Sequence, residues 1–152
     1  MEIDSQKREV FTREYFKNMD DIHISTEKSK LDINFINEFI SNSYWGKGRS
    51  LETMQTCIDN SLNFGVYFQE KQIGFARVVT DYSQFAYILD LFIHENYRGK
   101  GYSKQLVKFI LEFDQLKNVK TWRLSTSDAH GLYKQFGFNP LAKPENLMEL
   151  IR

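Results

Sequence analysis

The sequence predicts an α+β fold. Its sheet is mixed, antiparallel in the second to fourth strands, then completed by a parallel strand–helix–strand unit, with helices on both faces. Three observations predict this. Phe64, Val66 and Phe68 alternate, residues 73–80 form a second apolar run, and residues 85–93 form a third. The intervening turns at residues 69–72 and 81–84 are too short for crossovers, so these strands are antiparallel. From about Ser103 the period becomes helical, with Leu106, Ile110 and Phe113 on one face and Lys104, Lys108 and Glu112 opposite. A strand at residues 121–126 follows, and a strand–helix–strand unit of this length makes its two strands parallel with a right-handed crossover.

The totals fit one domain over residues 1–152. The chain is 41% apolar and 15% aromatic, a globular composition able to bury a core. Lys and Arg total 20 and Asp and Glu total 20, so no net charge draws the chain to nucleic acid. One cysteine, Cys57, excludes an internal disulfide. Histidines at 23, 94 and 130 have no zinc spacing, and no metal is expected. With no apolar run at the N-terminus and no membrane-length segment, the expected location is the cytoplasm.

In chain order, Phe11, Tyr15 and Met19 at four-residue spacing predict a short amphipathic helix in an extension over residues 1–20, or a loosely held arm. Alternation over residues 22–26 predicts a first strand. Asp32 is a helix cap ahead of Ile33, Ile36 and Ile40, and Ser50 is a second ahead of Leu51, Met54 and Ile58. Between them lies a glycine-bearing loop with Tyr44, Trp45 and Arg49, a placement that suits binding residues. Asp128 is read as the cap of a short helix that Gly137 ends, and residues 147–151 as a final strand. In the third strand, Tyr87, Leu89, Leu91 and Ile93 share one face. Ile88, Asp90 and Phe92 share the other, placing one carboxylate among apolar residues.

The sharpest feature is Tyr97-Arg-Gly-Lys-Gly-Tyr-Ser-Lys104, between that strand and the following helix. A helix's first turn has unpaired N–H groups and the positive end of its dipole. Gly99 and Gly101 let this backbone approach a bulky anion, and Arg98, Lys100 and Lys104 add charge. A phosphate or pyrophosphate suits such a turn. It is neither a Walker loop nor the three-glycine dinucleotide fingerprint.

The run resembles the acetyl-CoA signature of the GNAT superfamily of N-acetyltransferases, Gln/Arg-x-x-Gly-x-Gly/Ala, in which Arg98 and Gly101 match and Ser103 replaces the last small residue. Ala129-His-Gly-Leu-Tyr-Lys-Gln-Phe-Gly-Phe138 resembles the family's Ala-x-x-Leu-Tyr-x-x-x-Gly-Phe segment. The resemblance covers more than half the chain and implies a sheet that splays between the fourth and fifth strands to admit the pantetheine arm. It implies cofactor contacts at Arg98, Gly99, Lys100, Gly101, Tyr102, Ser103 and Lys104, and through strand N–H groups at Phe92 and Ile93. The N–H that polarises the carbonyl falls within residues 91–93.

The same resemblance implies that Tyr133 protonates the leaving thiolate. Asp90 stands in the strand where the family often carries a base, and burial would perturb its pKa. Candidate acceptor contacts are Tyr44, Trp45, Arg49, Arg77, Asp81 and His130. Acid near Asp81 suits a cationic amine, whereas Arg49 and Arg77 suit a carboxylate; the sequence does not choose. The expected activity is acetyl transfer from acetyl-CoA to a primary amine of a small molecule or peptide, by direct attack in a ternary complex. A non-catalytic CoA-binding module on the same fold is the alternative. Neither nucleic acid nor membrane is an expected partner, and an exposed final strand would support a homodimer.

Overall fold

The computed structural model describes residues 22–152. The extension read at residues 1–20 therefore lies outside the described residues. The elements run β1 (Ile22–Ser25), α1 (Ile33–Ser41), α2 (Leu51–Asp59), β2 (Leu62–Phe68), β3 (Lys71–Thr80), β4 (Phe85–Ile93), α3 (Tyr102–Glu112), β5 (Thr121–Arg123) and α4 (His130–Lys134). One five-stranded sheet has the order β1-β2-β3-β4-β5. The first four strands pair antiparallel and β5 pairs parallel to β4.

Of the three helix caps read from the sequence, those at Asp32 and Ser50 are formed. Asp32 accepts from the Phe35 N–H at 3.0 Å and Ser50 Oγ from the Thr53 N–H at 3.1 Å, each satisfying an orphan donor of a first turn. The sheet has a core on each face. On one, α3 lays Tyr102, Leu106 and Ile110 over Phe64, Val66, Val78 and Ile88. On the other, Ile36, Ile40, Met54 and Ile58 of α1 and α2 pack on Phe75 and Phe92. Phe39 stacks on Phe92 with ring centroids 3.8 Å apart.

Strand β4 departs from the simple alternation of its sequence. Arg77 pairs with Leu89 but Phe75 pairs with Phe92, so Asp90 and Leu91 together oppose Ala76. This is a β-bulge, and Asp90 adopts the left-handed region at φ +53. The bulge reverses the strand's parity. Ile88 and Ile93 join the α3-side core while Phe92 joins the other. The expectation of one continuous face from residue 87 to 93 is thus corrected.

Two further expectations are corrected. Asp128 does not cap α4. Thr126 Oγ1 accepts from the Ala129 N–H at 3.0 Å instead, and Asp128 is left near the sheet's open end. Residues 147–151 form no strand, and Met148, Leu150 and Ile151 are exposed. The sheet ends at β5, whose three residues offer a short ladder for any further strand.

Candidate active site

The β4–β5 ladder stops at Tyr87 and Arg123, although β4 continues to Ile93. Beyond that point the chains diverge and leave a cleft of about 470 Å³. One wall is β4 from Tyr87 to Ile93; the other is formed by Leu124, Thr126, Asp128 and Tyr133. Arg98 and Ser103 lie at the end next to α3.

The exposed edge of β4 presents backbone groups to this cleft. The His94 N–H donates to the Ile73 carbonyl at 2.8 Å, across to β3. Alternate residues of a strand point their amides the same way, so Phe92 also faces β3 while Leu91 and Ile93 face the cleft. The Ile93 carbonyl confirms the direction, because it accepts from Arg98 Nε at 3.1 Å on that side. The reading of Phe92 as a backbone contact is therefore corrected. Its amide belongs to the sheet and its ring to the α1–α2 core, and Leu91 takes the place beside Ile93.

At the end of β4, Gly99 and Gly101 both hold φ +78, and a Cβ at either would meet nothing within 4 Å. Gly101 is the N-cap of α3, so the first-turn amides of that helix open onto the space beside it. Lys100 and Lys104 are exposed there. Tyr102 is different: its ring lies in the α3-side core, 5% exposed, so only its backbone belongs to the turn. These features fit a pyrophosphate, which needs backbone donors, positive charge and no Cβ in the way.

Midway along the cleft sits an ion-pair cluster. Asp90 Oδ2 accepts from Arg77 Nε at 2.6 Å and from Arg49 Nη1 at 2.7 Å, while Oδ1 accepts from the Trp45 indole at 3.0 Å. The Asp90 side chain is 1% exposed. Asp90 thus anchors the loop containing Trp45 and Arg49 to the bulge, with both oxygens engaged. Arg77 is buried, also reaches Ser61 Oγ, and does not line the cleft. Asp81 does not line it either. It accepts from the N–H groups of Ser83, Gln84 and Phe85 at 2.8–3.0 Å and closes the β3–β4 turn. Those bonds, the one from Phe85 foremost, hold its carboxyl below the usual carboxylate range. His130 is exposed on α4, outside the cleft lining.

The aromatic loop closes the cleft's mouth. Tyr44 Oη accepts from the Ser127 N–H at 3.2 Å and donates to Asp128 Oδ1 at 3.5 Å. Tyr44 and Trp45 meet edge to face at 5.1 Å. Asp128 and the wall at residues 124–127 went unread as site residues; the polar run Ser125-Thr-Ser-Asp128 directly after a strand was the available signal.

Tyr133 is 8% exposed and borders the cleft. Burial pushes its phenol up to about 12, with Tyr44 and Asp128 adding to the shift. Burial, with Glu27, does the same to Tyr67, also to about 12. Raised values favour the protonated fold, so this stability is complete below pH ~10 and is lost as pH climbs through the folded values. A phenolate titration followed by ultraviolet absorbance should show a late-ionising class, and Tyr133→Phe should remove one member of it. A variant with an unchanged late class would disprove the assignment.

An amide-bearing strand edge, a glycine turn at a helix start and a buried phenol lie on one splayed sheet, an arrangement that suits an extended, phosphate-ended ligand. Residues 59–140 match the family model described as acetyltransferase (GNAT) domain. The chain belongs to the GNAT acetyltransferase family. It is 41% identical to a GNAT-family protein of known structure from Xanthomonas campestris pv. campestris, with TM-score 0.85, over 89% of this chain and 96% of that one. An uncharacterized N-acetyltransferase of Gracilaria tenuistipitata var. liui is 32% identical over 96 residues, 59% of this chain and 53% of that protein. The chain thus spans about half the length of that relative. A Deinococcus radiodurans R1 structure at 21% identity and TM-score 0.69, covering 87% of this chain and 89% of that one, shares the fold. Among the described residues no helix is long and apolar enough to cross a membrane.

Proposed function

We propose that the protein is a cytoplasmic enzyme that transfers the acetyl group of acetyl-CoA to a primary amine of a small molecule or peptide. Attack is direct, within a ternary complex. One observation carries the reading: a single cleft is lined by Arg98 and Ser103, which flank the glycine turn, by β4 with the cleft-facing amides of Leu91 and Ile93, and by Tyr133. Acetyl-CoA supplies an activated acyl thioester. The amides of residues 102–104, with Lys100 and Lys104, hold its pyrophosphate. Leu91 and Ile93 hydrogen-bond the pantetheine and polarise the carbonyl as it becomes an oxyanion.

The amine nitrogen attacks the carbonyl carbon and the carbon–sulfur bond breaks. A thiol ionises near 8.5, so full proton transfer from a phenol at about 12 is uphill by roughly 5 kcal/mol. Tyr133 therefore acts by donating a hydrogen bond to the developing thiolate, and it remains protonated throughout the working pH range. Asp128, at the cleft mouth, attracts the ammonium form of the acceptor. The proton lost before attack and the one lost from nitrogen as the amide forms both leave through that mouth to water, and CoA departs as the thiolate that Tyr133 stabilises.

Calorimetric titration with acetyl-CoA, with ATP as control, tests the cofactor; micromolar binding of acetyl-CoA alone supports the reading and no binding refutes it. Tyr133→Phe removes a donor to developing negative charge and should lower kcat by about 10²-fold or more with acetyl-CoA affinity little changed. Equal losses in both would make Tyr133 a binding residue.

A further inference from the structure

We infer that the acceptor amine carries a carboxylate, as an amino acid does, and that Arg49 is the residue that reads it. The inference rests on the acetyltransfer reading and deepens it.

Charge does not balance at the bulge. Two guanidiniums, Arg49 and Arg77, converge on one carboxylate, Asp90, with side chains 18%, 11% and 1% exposed. Arg77 is satisfied inside the fold by Asp90 and Ser61. One positive charge is left over, and it belongs to the member that lines the cleft, Arg49. A partly buried guanidinium that must share its one counter-ion with a second cation is incompletely neutralised, so this place favours an anion from outside the chain.

The bonding of Arg49 says which kind of anion. Only Nη1 is used, toward Asp90 Oδ2 and, at 3.7 Å, Met54 Sδ. Nε and Nη2 have no partner among the described residues. Those two N–H groups lie on one edge of the guanidinium plane, spaced to meet both oxygens of a carboxylate. Asp90 grips the opposite corner and fixes the plane, so the free edge is held in place before any ligand arrives.

On the opposite wall an acidic side chain complements Arg49. Asp128 Oδ1 receives long contacts of 3.5 Å from Tyr44 and Thr126, and its Oδ2 has no partner among the described residues. A zwitterion fits both, with its carboxylate on Arg49 and its ammonium toward Asp128. A polycation has nothing to offer Arg49 and would meet repulsion from it. The loop's other charge, Lys47, is absent from the cleft lining.

The test is a matched panel in an acetyl-CoA thiol-release assay: lysine with cadaverine, ornithine with putrescine, tyrosine with tyramine, and each amino acid with its amide. The expected result is that the leading substrate is a carboxylate-bearing amine, preferred at least 100-fold in kcat/KM over its decarboxylated and amidated partners. Arg49→Lys keeps the charge and the pairing to Asp90 but loses the fork. It should cost the acid at least tenfold more in kcat/KM than the matched amine, with thermal melting confirming the fold. A panel in which no carboxylate-bearing amine leads overturns the inference, as does an Arg49→Lys variant that affects both members equally. Calorimetry with acetyl-CoA is run beside it: binding without acid preference defeats this inference alone, and absent binding defeats the acetyltransfer reading with it.

Discussion

Gly101→Glu should abolish acetyl-CoA binding while leaving a folded protein. Gly101 sits at φ +78, where a non-glycine residue pays backbone strain of about 1–2 kcal/mol. A Cβ there would touch nothing within 4 Å, so no collision adds to that strain. The fold should survive with its melting temperature lowered by several degrees. Binding is another matter. The glutamate would stand in the open space before the first turn of α3, beside the amides that are to meet phosphate. It brings bulk and a negative charge into a site designed for anions. A loss of at least 100-fold, roughly 2.8 kcal/mol, is expected in calorimetry. Gly101→Ala separates the two effects, because it carries the same strain with little bulk and no charge. It should keep most of the affinity. A folded Gly101→Glu protein with unchanged affinity would mean that the phosphates lie elsewhere.

The glycine turn was legible because its signal is local. A period switch from two to 3.6 with glycines at the junction can be read along the chain, and both glycines do hold positive φ. The antiparallel strands and the caps at Asp32 and Ser50 were legible for the same reason, as was the parallel β4–β5 pair. The bulge was not. Residues 87–93 alternate cleanly in sequence, and nothing in that pattern shows that two residues of β4 face one of β3. Only the pairing register reveals it, and with it the reversal that sends Phe92 into the α1–α2 core. The amide directions in the cleft inherit that uncertainty, which is why Leu91 and Ile93 emerge only from the structure. Residues 147–151 show the opposite limit. Their composition permits a strand, but a strand exists only where an edge receives it, and the sheet's edge here is β5, whose ladder is three residues long. Tyr44 was legible as a loop aromatic. Its partners, Ser127 and Asp128, lie more than 80 positions away in sequence, beyond any local pattern.

Asp90→Asn discriminates between the role of base read from the sequence and that of ion-pair anchor suggested by the structure. If Asp90 removed the amine's proton, the variant would lose kcat by about 10²- to 10⁴-fold, flatten the rise of rate with pH, and melt nearly as the parent does. The ion-pair geometry predicts another outcome. Asparagine tolerates the left-handed conformation at φ +53, so the bulge itself survives the change. What is lost is the charge that holds Arg49, Arg77 and the Trp45 indole together. Removing one partner of a buried pair strands the others, at a cost of about 3 kcal/mol or more. Here two cations would be stranded. The melting temperature should fall by roughly 10 °C, and the shape of the pH–rate profile should be kept. The acceptor KM should rise as the loop bearing Arg49 loosens. Coupling supplies the second readout. Arg77→Met removes one stranded cation, so the Asp90→Asn/Arg77→Met double variant should be less destabilised than the sum of its parts. Additive losses, or a stable Asp90→Asn protein with a flattened pH profile, would return Asp90 to the role of base and take away the fixed guanidinium edge from which the acceptor's carboxylate was inferred.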